Sequence, residues 1–266
     1  MEEGFRSTEI SDPKFERDNL RFITVKSKNL KGRGDICVFV PPGEDLENLP
    51  LVILLHGVYG SAWVWSQKAG VHYSALKMIQ NKEISPMAIA MPSDGLWGDG
   101  SGYLPHNQKN FEKWMVEDVP NAVIENISCV SKKSNWFISG LSMGGFGALR
   151  LGIKYSNKFK GISAHSSITD LTQMPFFVEE AITNYIQEDE LENSVIGVLK
   201  KYGSEIPKLR FDCGSDDDLI SYNRELHGAL NIAKIEHVYQ EFSGAHEWKY
   251  WQKHIKDTLL FFNTIT

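Results

Sequence analysis

The sequence predicts an α/β fold, in which a mostly parallel central sheet carries helices on both faces. Two observations lead to this class. Short, continuous apolar runs of strand length recur along the chain, and stretches of helical period separate them. Repeated alternation of strand and helix is typical of parallel sheets with helical crossovers. With 266 residues, 42% of them hydrophobic, the chain can bury one sizeable core, so we expect a single domain over residues 1–266.

The predicted strands begin with two alternating, β-branched segments, RFITVKSK (21–28) and GDICVFVPP (34–42). Their pattern indicates an antiparallel pair at a sheet edge. The runs predicted to be strands buried in the sheet interior, together with the last strand, are LVILLHG (51–57), PMAIAMP (86–92), WFISG (136–140), KGISAHS (160–166), KLRFDCG (208–214) and KIEHVYQEF (234–242).

Helical periodicity falls between these strands and after the last one. The segments are AGVHYSALKMIQN (69–81), FEKWMVEDVPNAVIENI (111–127), MGGFGALRLGIKYS (143–156) and YWQKHIKDTLLFFN (250–263). Two stretches interrupt the alternation. Residues 93–104, the glycine loop, follow a buried strand, and residues 169–204, the insertion, have mixed helical signals and many acids. We expect the insertion to be a helical lid.

Composition excludes several classes of function. The net charge is −6 and the pI is about 5.8, without a long Lys/Arg run, so nucleic acid and anionic membranes are not expected partners. Cys37, Cys129 and Cys213 are odd in number and widely spaced, which predicts buried thiols rather than disulfides or a zinc site. We expect neither a metal nor another cofactor. The charged amino terminus and the lack of long apolar runs predict a cytoplasmic protein, unless a signal peptide is missing from the sequence given. The oligomeric state, including a homo-oligomer, stays open.

The stretch ISGLSMGGFGALR (138–150) contains the pattern Gly-x-Ser-x-Gly between a predicted strand and a predicted helix. This is the context in which that pattern forms a nucleophile elbow, a strained turn that exposes a serine hydroxyl above the sheet. Ser142 is therefore the predicted nucleophile. Gly140 and Gly144 would stand where strand and helix leave no room for a Cβ, and the glycines after them would let the helix pack closely. The alternative is a small-residue helix packed on a strand.

A serine nucleophile needs a base, and the base needs an acid to orient it. In folds with this elbow, the acid and the histidine follow the serine in that order at the ends of later strands. CGSDDDL (213–219) supplies the acid, for which we choose Asp217. The acid could instead be Asp216 or Asp218, with Asp212 and Asp170 as weaker alternatives.

The predicted base is His246, in the loop after the last strand. His165 ends a strand and could line the cleft. The histidines expected to be structural lie within predicted helices and strands: His72, His227, His237 and His254.

The oxyanion of the hydrolysis intermediate requires two backbone N–H donors. One should be Met143, the residue after the nucleophile. The other should be Val58 or Tyr59, in the loop after the strand LVILL. We interpret His56 as a structural hydrogen-bonding residue of that loop.

With these residues in place, the chain resembles the esterase D-like family of α/β-hydrolases. The resemblance rests on LLHGVYGSAWVW, MPSDG, ISGLSMGGFGALRL, CGSDDDL and GAHEWKYW, and it covers the chain from about residue 35 onwards. The family contains S-formylglutathione hydrolases, short-chain acyl esterases, feruloyl and acetylxylan esterases, and mycolyltransferases. The resemblance implies an α/β-hydrolase fold and gives the triad roles to Ser142, Asp217 and His246. The glycine loop departs from the family's pattern.

The predicted activity is a metal-independent serine carboxylesterase that acts on a small-molecule or carbohydrate ester. Alternatives are a thioesterase of the S-formylglutathione hydrolase type, an acyltransferase and a non-catalytic binding module. Trp63, Trp97 and Trp248 lie in predicted strand-end loops, where they could form walls for a sugar or an aromatic acyl group. Phe176 and Phe177 of the insertion could contribute an acyl pocket.

Overall fold

A computed structural model describes residues 4–265. Within this range the chain forms a nine-stranded sheet in the order β1-β2-β3-β5-β4-β8-β9-β10-β11, and β6 and β7 form a separate hairpin. The strands are β1 (Thr8–Ile10), β2 (Leu20–Ser27), β3 (Gly32–Phe39), β4 (Leu51–Leu55), β5 (Ala88–Pro92), β6 (Pro105–His106), β7 (Lys109–Asn110), β8 (Trp136–Leu141), β9 (Phe159–His165), β10 (Lys208–Gly214) and β11 (His237–Phe242). The helices are α1 (Val64–Gln67), α2 (Val71–Gln80), α3 (Phe111–Lys113), α4 (Val119–Asn126), α5 (Met143–Lys154), α6 (Val195–Tyr202), α7 (Ile220–Ile232) and α8 (Trp248–Asn263).

The predicted mostly parallel sheet is confirmed. From β5 through β4, β8, β9 and β10 to β11, every neighbouring pair is parallel. The strands β2 and β3 form the predicted antiparallel pair, and β3 joins the parallel part by pairing antiparallel with β5. The short strand β1, which was not predicted, extends this edge by pairing with β2.

The strand β4 shows why the apolar runs fold as interior strands. All five of its residues are buried. Leu51, Ile53 and Leu55 pack into the core on one face of the sheet. Val52 and Leu54 pack into the core on the other face, because successive side chains of a strand point to opposite sides. A continuous apolar run is therefore required wherever helices cover both faces.

Helices form a layer on each face of the sheet. The helices α4, α5, α6 and α7 contribute to one core, and α2 and α8 contribute to the other. In the part of the chain described, no helix is both long enough and apolar enough to cross a membrane. The architecture is that of an α/β-hydrolase, as predicted.

The segment 111–127 differs from the single helix that its periodicity predicts. It contains α3, then a π-helical turn at Trp114–Asp118, then α4. Pro120 lies in the first turn of α4 and has no N–H to give to the preceding turn. The wider turn, in which the Val119 N–H reaches the Trp114 carbonyl, accommodates this interruption.

The insertion contains three 3-10 helices, Leu171–Phe176, Ile182–Asn184 and Glu190–Asn193, followed by α6. A buried ion pair attaches it to α5: Arg150 Nη2 lies 2.8 Å from Glu192 Oε2, and Arg150 Nε donates to the Glu192 carbonyl. The single-domain organisation and the lid role of the insertion stay predictions.

Candidate active site

The candidate residues lie where the parallel strands end, the edge at which folds of this class bind ligands. Ser142 follows β8, Asp217 follows β10 and His246 follows β11. Ser142 and His246 are 104 residues apart in the chain, yet their side chains are in hydrogen-bond contact. The strand order of the sheet brings the two residues together.

Ser142 occupies the sharp turn between β8 and α5. Its backbone angles are φ 54° and ψ −121°, a region that residues other than glycine rarely adopt. The Ser142 amide donates to the carbonyl of His165 on the neighbouring strand at 2.9 Å, which fixes the turn. The strained conformation predicted for the elbow is therefore present.

The glycines on either side of Ser142 stand where the backbone leaves no space. A Cβ on Gly140 would collide with the Gly144 carbonyl, and a Cβ on Gly144 would collide with the carbonyls of Leu55 and His56. Because these neighbours are backbone atoms, they cannot move aside as a flexible side chain could. The expectation that strand and helix exclude a Cβ at both positions is confirmed.

The imidazole of His246 lies between the serine and a carboxylate. Its Nε2 is 3.0 Å from Ser142 Oγ, and its Nδ1 is 3.1 Å from Asp217 Oδ1 and 3.0 Å from Oδ2. An Nδ1–H that donates to the carboxylate leaves Nε2 unprotonated and facing the serine hydroxyl. This arrangement can remove a proton from Ser142.

Asp217 differs sharply from its two neighbours in the run of three acids. It is only 2% exposed, whereas Asp216 and Asp218 are exposed to solvent. Burial raises the pKa of Asp217, but the hydrogen bond and charge of His246 and the Leu219 amide outweigh it, so the pKa lies below its ordinary value. The carboxylate that contacts His246 is therefore ionised at neutral pH.

The alternatives Asp170 and Asp212 belong to other structures. Asp170 caps a 3-10 helix of the insertion by accepting from the Thr172 amide. Asp212 is fully buried on β10, where its Oδ2 lies 2.6 Å from Arg210 Nη1 and 2.9 Å from His165 Nδ1. Tyr250 donates to its Oδ1 at 2.8 Å. His165 is thus part of a buried charge network rather than a wall of the cleft.

The network around Asp212 predicts a large stability effect. Burial raises the pKa of Asp212, but the opposing effects of His165, Arg210 and Tyr250 are larger and bring the pKa down to about 2. Because Asp212→Asn leaves the buried Arg210 without its nearest carboxylate, we expect a loss of about 3 to 5 kcal/mol in the free energy of unfolding at neutral pH. Urea titration of both proteins measures this loss.

The loss caused by Asp212→Asn should depend on pH. The folded pKa lies below the ordinary value, so the ionised carboxylate stabilises the wild type above about pH 4, and this contribution disappears as the pH falls toward 2. Asp216→Asn, an exposed change a few residues away, is the control and should alter stability little. A deficit of Asp212→Asn that stays constant from pH 7 to pH 2 would contradict this account.

His56, at the start of the loop after β4, is structural as predicted. Its Nε2 accepts from the Asp94 amide at 3.0 Å, so its protonated Nδ1 donates to the Gly57 carbonyl at 2.7 Å. The residue is 1% exposed and its own carbonyl accepts from the Tyr103 hydroxyl. His56 therefore joins the loop after β4 to the glycine loop.

Backbone hydrogen bonds distinguish the two candidates for the second oxyanion donor, Val58 and Tyr59. Tyr59 already donates its N–H to the Asp99 carbonyl at 2.7 Å, which removes it from the choice. Val58, the residue before it, is the remaining candidate. Met143 is the first residue of α5, so its N–H has no acceptor within the helix. Of the two predicted candidates, Val58 and Tyr59, we therefore retain Val58, and its role as oxyanion donor stays a prediction.

The glycine loop folds around the carboxylate of Asp94, which is 2% exposed. Asp94 Oδ1 accepts from the Leu96 amide at 2.9 Å and Oδ2 accepts from the Ser101 amide at 2.6 Å. Gly95 and Gly98 have φ of 99° and 54°, in the left-handed region that glycine adopts at the lowest cost. The loop is thus held by its own hydrogen bonds.

A family model described as "Putative esterase" matches residues 27–262. The chain belongs to this esterase family. A curated relative, the acetyl esterase of Caldicellulosiruptor saccharolyticus, is 34% identical in an alignment that covers 88% of this chain and 94% of the relative.

Solved structures share the fold of this esterase. An S-formylglutathione hydrolase from Agrobacterium tumefaciens superposes with a TM-score of 0.80 at 17% identity, covering 99% of both chains. A ferulic acid esterase superposes with a TM-score of 0.78 at 22% identity, covering 97% of this chain and 98% of its own. The predicted family and the predicted α/β-hydrolase fold are both confirmed.

The three tryptophans predicted to bind substrate lie in different surroundings in the esterase. Trp63 is 48% exposed at the start of α1. Trp97 packs edge-on against Tyr185 of the insertion, with ring centres 5.5 Å apart, and so helps to hold the glycine loop. Trp248 packs against Trp251, whose ring lies 4.9 Å from that of His246. A substrate role for these residues stays a prediction.

Two aromatic rings flank the imidazole of His246 in the esterase. Phe177 of the insertion stacks on it with ring centres 5.2 Å apart, and Trp251 meets it edge-on. Phe177 was expected in an acyl pocket, and its stacking on His246 places the insertion beside the site. The contact of Trp251 with His246 was not predicted. Its position five residues after His246, on the closing helix, could have indicated that its ring lies near the site.

The cysteines of the esterase are buried and form no disulfide among the described residues, in line with the prediction of buried thiols. Burial raises the pKa of Cys37 to about 12, so its thiol stays protonated at neutral pH. Across residues 4–265 we find no group of three or more His, Cys, Asp or Glu side chains arranged to hold a metal ion. Metal independence stays a prediction.

Proposed function

We propose that this esterase is a serine carboxylesterase that releases short acyl groups, acetyl foremost, from neutral esters through an acyl-enzyme on Ser142. The observation that carries the proposal is the position of His246. Its Nε2 lies 3.0 Å from Ser142 Oγ, and its Nδ1 lies 3.0 Å from Asp217 Oδ2. This is the geometry that activates a serine hydroxyl.

In the acylation step, Ser142 Oγ forms a bond to the ester carbonyl carbon while His246 Nε2 takes its proton. The carbonyl oxygen becomes an oxyanion that accepts hydrogen bonds from the Met143 and Val58 amides. The protonated imidazole then gives its proton to the alcohol oxygen as the bond between carbon and that oxygen breaks. Asp217 stabilises the positive charge on His246 while it lasts.

In the deacylation step, water takes the place of the leaving alcohol. His246 Nε2 removes a proton from the water as its oxygen attacks the acyl carbon, and the same two amides hold the second oxyanion. The bond to Ser142 Oγ breaks, Oγ recovers the proton from His246, and the carboxylic acid leaves.

Two observations support the choice of substrate class. The relative that is 34% identical is an acetyl esterase, which favours a small acyl group. The loop that carries Val58 lies beside carboxylates, since the Tyr59 hydroxyl is 3.5 Å from Asp99 Oδ2 and Asp99 is hydrogen-bonded to Glu179 and Glu180. This charge opposes an anionic substrate such as S-formylglutathione, and therefore favours a neutral alcohol such as a sugar hydroxyl.

A panel of esters tests this substrate class. We expect kcat/KM to be highest for p-nitrophenyl acetate and to fall about tenfold or more by the octanoyl ester, because a site suited to a short acyl group loses affinity with each added methylene. An acetylated sugar should release acetate, and S-formylglutathione should be hydrolysed more slowly than the acetate ester.

Three outcomes of the panel would contradict the proposal. Fastest turnover of S-formylglutathione would make the protein a thioesterase of that type. Transfer of the acyl group to an added alcohol in preference to water would make it an acyltransferase. The absence of turnover on every ester, without covalent modification of Ser142, would leave a binding module.

A further inference from the structure

The glycine loop packs behind both proposed oxyanion donors. A Cβ on Gly100 would come within 2.5 Å of Met143 Sδ and 3.4 Å of Val58 Cγ1, so the loop backbone lies directly against both side chains. The Gly102 amide also approaches Met143 Sδ at 3.4 Å. A shift of this loop would therefore change the packing around both proposed oxyanion donors.

Asp99, in the middle of the glycine loop, fixes the backbone next to Val58. Its carbonyl accepts the Tyr59 N–H at 2.7 Å, and Tyr59 has a left-handed φ of 57°. A tyrosine adopts this conformation only when its surroundings hold it there. Because the Tyr59 N–H and the Val58 carbonyl belong to one peptide plane, the hydrogen bond from Tyr59 to Asp99 fixes that plane, which begins at Val58 Cα.

The insertion in turn holds Asp99 from the other side. Glu180 Oε1 accepts the Asp99 N–H at 3.0 Å, while Asp99 Oδ2 accepts the Glu179 N–H at 2.8 Å. Asp99 thus exchanges backbone-to-carboxylate hydrogen bonds with two consecutive residues of the insertion, which lie 80 and 81 residues further along the chain. Tyr185 adds a third bond by donating its hydroxyl to the Gly100 carbonyl at 2.9 Å.

The fit between the insertion and the loop is close. Gly98 has a φ of 54°, and a Cβ there would collide with the Glu180 carboxylate. Gly98 therefore serves both the left-handed turn and the approach of that carboxylate.

We propose that Asp99 is a positioning residue, which couples Glu179 and Glu180 of the insertion to the oxyanion donor Val58. The insertion then acts on the chemical step by fixing the oxyanion site, in addition to any contact with substrate. This inference rests on the proposed serine esterase function. Loss of the coupling should leave substrate binding nearly intact and weaken the stabilisation of the oxyanion.

Steady-state kinetics on p-nitrophenyl acetate with Asp99→Ala and Glu180→Ala tests the coupling. Each variant removes one acceptor of the exchange and keeps the loop backbone. We expect kcat to fall about 10- to 100-fold with KM within about twofold, less than the effect of deleting a donor outright. Asp99→Asn and Glu180→Gln keep a carbonyl oxygen at the same place and should recover kcat to within about threefold.

A boronic acid inhibitor separates positioning from general loss of structure. Boron bonded to Ser142 Oγ carries a tetrahedral oxygen into the oxyanion site, so its inhibition constant should rise by about the same factor as kcat falls in each variant. The control is Glu188→Ala, an exposed carboxylate of the same insertion, which should leave kcat and the inhibition constant unchanged. Thermal unfolding of every variant is recorded alongside.

The results distinguish this inference from the proposed function. Unchanged kcat in both folded alanine variants of an active wild type would overturn the positioning role alone. A fall in kcat with an unchanged inhibition constant would overturn it too, as would failure of the conservative variants to restore activity. Should one alanine variant fail to fold, the other decides. A wild type without esterase activity would instead overturn the proposed function.

Discussion

Replacing Ser142 by alanine is expected to lower kcat/KM for p-nitrophenyl acetate by about 10⁴- to 10⁶-fold. The substitution removes only the hydroxyl group, and without it no acyl-enzyme forms on this residue. What activity remains would come from water held near the oxyanion donors. The fold should be unaffected, since alanine meets the same backbone strain as serine at φ 54°.

A matched control for Ser142→Ala lies on the strand that leads to it. Ser139 is fully buried on β8, and its hydroxyl has no hydrogen-bond partner in the described part of the chain. Ser139→Ala should therefore keep full activity and equal or greater stability. If Ser142→Ala retained more than about a tenth of wild-type kcat/KM, hydrolysis would proceed through another nucleophile and the proposed mechanism would fail.

The second large effect is expected from Asp217→Asn, which should lower kcat about 10³- to 10⁴-fold with little change in KM. An amide cannot stabilise the imidazolium that forms on His246, and its N–H₂ group favours the tautomer with Nδ1 as acceptor. Nε2 would then carry the hydrogen and could no longer take the proton of Ser142.

The run of three acids supplies the controls for Asp217→Asn. Asp216→Asn and Asp218→Asn change an exposed carboxylate one position away and should keep kcat within about twofold. Steady-state kinetics over the same range of ester concentrations gives kcat and KM for all three variants. An equal loss in all three, or a larger loss in Asp216→Asn or Asp218→Asn, would contradict the assignment of Asp217 as the orienting acid.

The parts of the fold that depend on local pattern could be predicted from the sequence. LVILL becomes β4 because a strand covered on both faces must be apolar throughout. The elbow at Ser142 could be predicted because glycine stands at the two positions where the neighbouring backbone leaves no room for a Cβ. The positions of Asp217 and His246 after later strands follow from the same topology. Local pattern could not separate Asp217 from Asp216 and Asp218, because burial decides between them; the resemblance to a known family supported the choice of Asp217.

The parts that depend on contacts between distant segments could not be predicted. Nothing local to Tyr59 indicates that its amide is taken by Asp99, 40 residues away, and this is why the sequence leaves Val58 and Tyr59 equivalent. The same holds for the hydrogen bonds that Asp99 makes with Glu179 and Glu180. A glycine-rich loop indicates unusual backbone angles, but its partners are set by how the insertion folds back.

The measurement that tests the central claim most directly is the mass of the protein after reaction with a fluorophosphonate. The account predicts one phosphonyl group per chain, carried by the peptide that contains Ser142, and no addition to the Ser142→Ala variant. His246→Ala should react far more slowly, because Nε2 lies 3.0 Å from Ser142 Oγ and activates it. A phosphonyl group on another residue, or an unmodified wild type that still hydrolyses esters, would contradict the claim that Ser142 is the nucleophile.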